Sequence, residues 1–215
     1  MGIATLEEPV RRRSAREAIV SLRLRAADLA YVRVLRAMTI SRVNEAFLDV
    51  EPRYDHGFLD EPALRCFARD DVYDLSDRFL DEALGRGDRC YAIVDRGRLA
   101  SFGWYARRPT PIEGGLYLRF DPRLVYMYKG FTHGDYRGRR LHAIGMTRAL
   151  SQVLSEGALG IVSYVASTNT SSLRSCYRMG YEDVGRIYMA RVLDRAFGVA
   201  DAGCRARGID VSRRA

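Results

Sequence analysis

Between His133 and Leu150 the chain reads HGDYRGRRLHAIGMTRAL. Small, polar and basic residues run directly into a helical pattern, and Arg137, Arg139 and Arg140 crowd around Gly138. Like charges repel there, and the positive end of the helix dipole adds to the cost. An anion arriving at that point removes it. The first N–H groups of a helix lack intrahelical partners, so the backbone supplies donors to the same place. Gly138 suits a backbone that turns sharply or approaches a ligand closely. Taken alone, the stretch also fits a solvated strand-to-helix turn.

A second stretch, NTSSLRSCYRMGY, runs from Asn169 to Tyr181. It follows a short apolar strand pattern. Asn169 is an N-cap type, Tyr177 lies on the helix, and Gly180 is placed to close it as a C′ glycine.

The elements that must hold these stretches follow from periodicity. Residues 1 to about 16 read as a polar arm. The segment AIVSLRLRAAD (Ala18 to Asp28) alternates with period two and predicts a strand. Asp28 then caps a helix expected over 29–47, where Val32, Leu35, Ile40, Val43 and Phe47 recur at helical spacing. EPRYDHGFLDEP reads as a loop and Asp60 to Leu84 as one or two helices stopped by GRGD. CYAIVD and LASFGWYA predict strands around a DRGR hairpin turn, and LYLRF and VYMYKGF two more. A helix from about Arg140 to Ser155, the strand GIVSYVA, the second stretch and the strand YEDVGRIYMARV follow. The order predicts an α/β (α+β) fold with a single mixed, mostly antiparallel sheet flanked by helices. A central domain over 17–192 and a C-terminal amphipathic segment with a basic tail over 193–215 complete this reading.

Composition narrows the class. The 215 residues suit one domain, and 47% hydrophobic with 29% charged residues is ordinary for a globular chain. The net charge of +8 is almost all arginine, since Lys129 is the only lysine. Such a surface attracts nucleic acid, anionic membrane or phosphorylated ligands without choosing among them. The four cysteines, Cys66, Cys90, Cys176 and Cys204, show no metal-ligand spacing, so no metal site is expected. Reduced thiols and no secretory signal predict a cytoplasmic protein, and no stretch reaches the ~20 apolar residues of a membrane span.

Together, YRGRRLHAIG and, some thirty residues on, N…S…CYRMGY resemble the GNAT superfamily of acyl-CoA-dependent N-acyltransferases. The first is similar to that family's pyrophosphate loop and the second to its following strand–helix motif. IVSLRLRAAD resembles the family's first strand, and YAIVDRGRLASFGWYA its second and third, so the likeness spans about 18 to 192. Two loop positions that the family fills with small residues hold Arg140 and His142 here.

The resemblance implies a GNAT-like acyltransferase fold and direct attack by an amine on the thioester of acetyl-CoA or another acyl-CoA. It places phosphate contacts on Arg137, Gly138, Arg139, Arg140, Leu141 and His142, and pantetheine contacts on Asn169 and Ser172. It gives Tyr177 the role of proton donor to the leaving thiolate, and the N–H of Phe131 the thioester carbonyl. The strand VYMYKGFTH carries no carboxylate to act as base, which leaves His133 as the candidate. The expected partner is a small-molecule or peptide amine; a homodimer and nucleic-acid contact through the basic termini are compatible with it. Two alternatives from the same residues are a non-catalytic acyl-CoA-binding module and a toxin-like acyltransferase acting on charged tRNA.

Overall fold

The computed structural model describes residues 30–192 and 195–213. The arm and the strand expected over 18–28 lie outside the described residues.

The first described element corrects the sequence reading. Residues 30–40, expected to be helical, form strand β1 (Ala30–Ile40). β1 is an interior strand, paired antiparallel on both sides, and its register slips between Ala37 and Met38. Leu35 and Ala37 bury on one face of β1, and Met38 and Ile40 join the core on the other. The extra residue at the slip is Val184 of the partner strand, so the chain of β1 alternates regularly. Because both of its faces are covered, apolar residues fall at 35, 37, 38 and 40 and the period of two is masked. The stretch read as a loop around residue 54 contains β2 (Tyr54–Phe58), an edge strand.

Helices α1 (Glu61–Phe67) and α2 (Asp77–Gly85) follow, capped by Asp60 and Ser76. The hairpin β3 (Arg89–Asp95) and β4 (Arg98–Ala106) turns at Arg96 and Gly97, both at positive φ as a tight two-residue turn requires. Short strands β5 (Thr110–Pro111) and β6 (Tyr117–Arg119) precede β7 (Leu124–Thr132). Helix α3 (Leu141–Ser155), strand β8 (Gly160–Ala166), helix α4 (Thr170–Met179) and strand β9 (Glu182–Val192) match the expected order. Asn169 caps α4 and Gly180 closes it at φ 101°.

Among the described residues the main sheet has eight strands; with β10 spanning Arg195–Ala200, their order is β10-β9-β1-β8-β7-β4-β3-β2. Every pairing is antiparallel except β7 with β8. The segment expected as a tail is built into the fold. It supplies β10 (Arg195–Ala200), the short helix α5 (Ala202–Ala206) and β11 (Asp210–Ser212). β10 pairs with β9, and β11 completes a second, three-stranded sheet with β6 and β5. Arg205 and Arg213 donate to the carbonyls of Ala200 and Ala196, so these tail arginines tie the chain end down.

α3 and α4 cover one face of the main sheet, with Met146, Leu150, Leu173 and Met179 packed on Met38, Val125 and Ile161. α1 and α2 cover part of the other face through Leu64, Leu80 and Ala83, and the small sheet covers the rest through Leu118. Leu150 is 1% exposed on the buried face of α3. Leu150→Ala is expected to lower unfolding stability by about 2–5 kcal/mol in urea titration, because the α3 face leaves a cavity. A loss below ~1 kcal/mol would show that the core closes around it.

Candidate functional site

The site begins with a break in the main sheet. β7 and β8 pair only at Leu124↔Gly160, Val125↔Ile161 and Tyr126↔Val162. Beyond that, β7 stays with β4 and β8 stays with β1, so the two strands separate as a V. Ser163 Oγ, donating to the Met127 carbonyl at 3.2 Å, bridges its narrow end. The physical cause lies in β7. Phe102 faces Phe131 and Trp104 faces Tyr128, so Gly103 opposes both Lys129 and Gly130. This is a β-bulge, with Lys129 at φ 45°, and it bends β7 away from its neighbour.

A cleft of about 340 Å³ occupies the V. Tyr126, Tyr128 and Tyr164 line it from one side, and His142, Met146, Cys176 and Met179 from the other. Burial pushes the Cys176 thiol up to about 11, so at neutral pH it is not a thiolate nucleophile.

The stretch that crowds arginines forms the second part. Gly138 sits at φ 79° and Arg140, the residue before α3, at φ 60°. No side chain caps the helix. Its first bond runs from the Ile144 N–H to the Arg140 carbonyl, so the N–H groups of Leu141, His142 and Ala143 precede the ladder. Two left-handed residues beside an uncapped helix start shape a concavity with unpaired backbone N–H donors, a geometry suited to an anion. A cleft of about 810 Å³ opens on it, lined by Arg137, Gly138, Arg140, Leu141, His142, Ser172 and Arg178 among others. His142, Ser172 and Ser175 line both clefts, so the two adjoin there.

His142 occupies the junction. Its ring lies against Gly130, where a Cβ would come within 2.5 Å of Cε1. Burial alone pushes its pKa down to about 4, so it is neutral at pH 7. Its side chain turns into the protein while its backbone stays on the helix start. Arg140 is exposed at the rim. The two bulky residues therefore leave the concavity open.

The other expected site residues are placed as follows. Asn169 lines the V, and its Oδ1 accepts from Ser172 N–H and Ser171 Oγ at 3.1 and 3.0 Å. Arg139 turns away, with its guanidinium 5.4 Å from the Tyr136 ring and 3.5 Å from Tyr54 Oη. Phe131 follows the bulge, but its ring stacks on Phe102 at 5.2 Å, outside both clefts. His133 lines neither cleft. Its Nδ1 accepts from Asp135 N–H at 3.3 Å, and Arg98 stands 3.5 Å from Nε2. Tyr177 also lines neither cleft. It is 44% exposed, accepts from Arg36 at 2.9 Å and donates to Asp183 at 3.4 Å. The sequence reading missed Tyr128 and the bulge; the adjacent Lys-Gly inside a strand pattern was the available signal.

No protein-family model matches this sequence, and no curated protein sequence matches it. Solved structures do match the fold. A GNAT-family protein of Novosphingobium aromaticivorans aligns at TM-score 0.52 and 16% identity, over 75% of this chain and 64% of that one. A GCN5-related N-acetyltransferase-like protein of Streptococcus suis aligns at 0.53 and 15%, over 83% and 68%. A GNAT-family acetyltransferase of Colwellia psychrerythraea aligns at 0.51 and 13%, over 83% and 63%. This chain thus spans about two thirds of the length of each.

Proposed function

We propose, from a chain with the GNAT-like fold, an acyl-CoA-dependent N-acyltransferase that uses acetyl-CoA or a related thioester and a small amine acceptor. The observation that carries this is that the two clefts adjoin, sharing His142, Ser172 and Ser175. An uncapped helix start lies beside a sheet gap whose facing edges have lost their strand partners. A long ligand with phosphates at one end and amides along its arm suits that shape. The backbone N–H groups of Leu141, His142 and Ala143 would hold the pyrophosphate, with Arg137, Arg140 and Arg178 adding charge. Asn169 and Ser172 would border the pantetheine arm. A bound acyl-CoA supplies an activated carbonyl and a thiolate leaving group.

The neutral thiol of Cys176 favours direct attack over an acyl-enzyme intermediate. Tyr177 carries no weight in this reading, because Arg36 and Asp183 hold its hydroxyl. Arg139 and His133 are likewise engaged elsewhere.

The test is thermal unfolding with acetyl-CoA and with free CoA. At a hundredfold excess over Kd, a ligand adds about 2.7 kcal/mol of stability. For a chain of this size that is roughly 5–10 °C in Tm. Both ligands are expected to produce it. No shift with either overturns the reading. A shift without thiol release, with any amine supplied, leaves a binding module.

A further inference from the structure

A buried carboxylate stands behind the V. Asp88, in the turn between α2 and β3, has a side chain only 1% exposed. Its Oδ2 accepts from the Tyr128 hydroxyl at 2.6 Å and from Arg86 Nη2 and Nε at 2.7 and 3.1 Å. Its Oδ1 is buried without a hydrogen-bond partner. Leaving a buried acceptor unpaired is costly, so a retained one asks for an explanation.

Tyr128 connects that carboxylate to the cleft, whose wall it forms. Its ring is fixed by stacking on Tyr126 at 5.5 Å and by edge contact with Phe79 at 6.4 Å. The phenol oxygen has two lone pairs. Arg86 Nη2 donates to it at 3.2 Å, which leaves one lone pair open. β7, with the sequence LVYMYKGFT, has no acidic residue of its own.

We propose that Tyr128 and Asp88 form the proton relay that deprotonates the amine acceptor, with Tyr128 as the catalytic residue and Asp88 as proton sink. This rests on the acyltransferase reading above. An alkylamine of lysine-like basicity, about 10.4, arrives mostly as the ammonium ion. One ammonium proton passes to Tyr128 Oη while the phenol proton passes to Asp88 Oδ2. The neutral amine and a neutral carboxylic acid result. The nitrogen lone pair then forms the C–N bond to the thioester carbonyl, and the C–S pair leaves on sulfur. The second nitrogen proton neutralises the thiolate, and once product has left, Asp88 returns its proton through the Tyr128 hydroxyl to water in the cleft. Burial raises the Asp88 pKa, which strengthens it as a base; the opposing groups that face it are Tyr128, Arg86 and Arg108.

Thiol release from acetyl-CoA is followed in the full chain with n-butylamine, which is strongly basic, and trifluoroethylamine, which is weakly basic. Tyr128→Phe keeps the ring packing and removes only the relay oxygen. It is expected to lower kcat with butylamine about 10²–10⁴-fold, the usual worth of general base catalysis. With trifluoroethylamine, already neutral at pH 7, the loss is expected to stay within about tenfold. Asp88→Asn should reproduce the pattern. The thermal shift with acetyl-CoA should match wild type in Tyr128→Phe. Equal losses with both amines, or none, overturn the relay. So does a wild type that binds acetyl-CoA yet releases no thiol with either amine. A wild type that acetyl-CoA does not stabilise overturns the acyltransferase reading itself.

Discussion

On the proposed function, Gly138→Val is expected to bind acetyl-CoA about 10- to 100-fold more weakly than wild type. Gly138 holds φ 79°, and a β-branched residue there is a steric outlier. Forcing a side chain into such a region costs of order 1–3 kcal/mol, and 1.4 kcal/mol is a factor of ten in affinity. The loop escapes that cost by rotating Gly138 to negative φ. The rotation swings Arg140, at φ 60°, and the N–H groups behind it away from their common focus. Titration calorimetry with acetyl-CoA measures the effect. The control is Gly157→Val, at φ 89° beyond the far end of α3, where the same strain meets no ligand. Both variants should lose similar stability, and only Gly138→Val should lose affinity. Unchanged affinity in Gly138→Val would mean the backbone concavity is not the phosphate site.

Acid is expected to destabilise the protein through His142. The imidazole titrates near 6.5 in the unfolded chain, and burial lowers it to about 4 in the fold. The folded state therefore binds this proton later than the unfolded state. The full contribution to stability is present above pH 6.5 and is lost as the pH falls toward 4. By pH 4.5 the loss amounts to about 2–3 kcal/mol. His142→Leu removes the titration and keeps an apolar group against Gly130. Urea unfolding of both proteins at pH 7 and pH 4.5 checks it: the wild type should lose about 2–3 kcal/mol more than the variant. Equal losses would show that the ring takes up its proton without leaving its place.

Local signals carried much of the architecture. The 3.6-residue period of α3, the Asn169 cap and Gly180 closure of α4, and the turn at Arg96–Gly97 are decided within a few residues, so they could be read directly. β1 could not. It is an interior strand covered on both faces, so Leu35 and Ala37 bury on one side and Met38 and Ile40 on the other. The resulting spacing imitates a helix. β10 and β11 were hidden for a related reason: each is short, and each exists because a distant strand offers it an edge.

The same division holds for the site. Its helix-start half was legible in the sequence, because glycine and a helix start act through backbone geometry that needs no distant partner. The other half was decided by the tertiary structure. The bulge opposite Gly103 opens the V, and Tyr128 meets Asp88 across 40 residues of chain. Tyr177 matches a motif residue by residue, yet Arg36 and Asp183 take its hydroxyl. A side chain's type is fixed by the sequence, but its partners are fixed by which strands pair, and no local pattern encodes that.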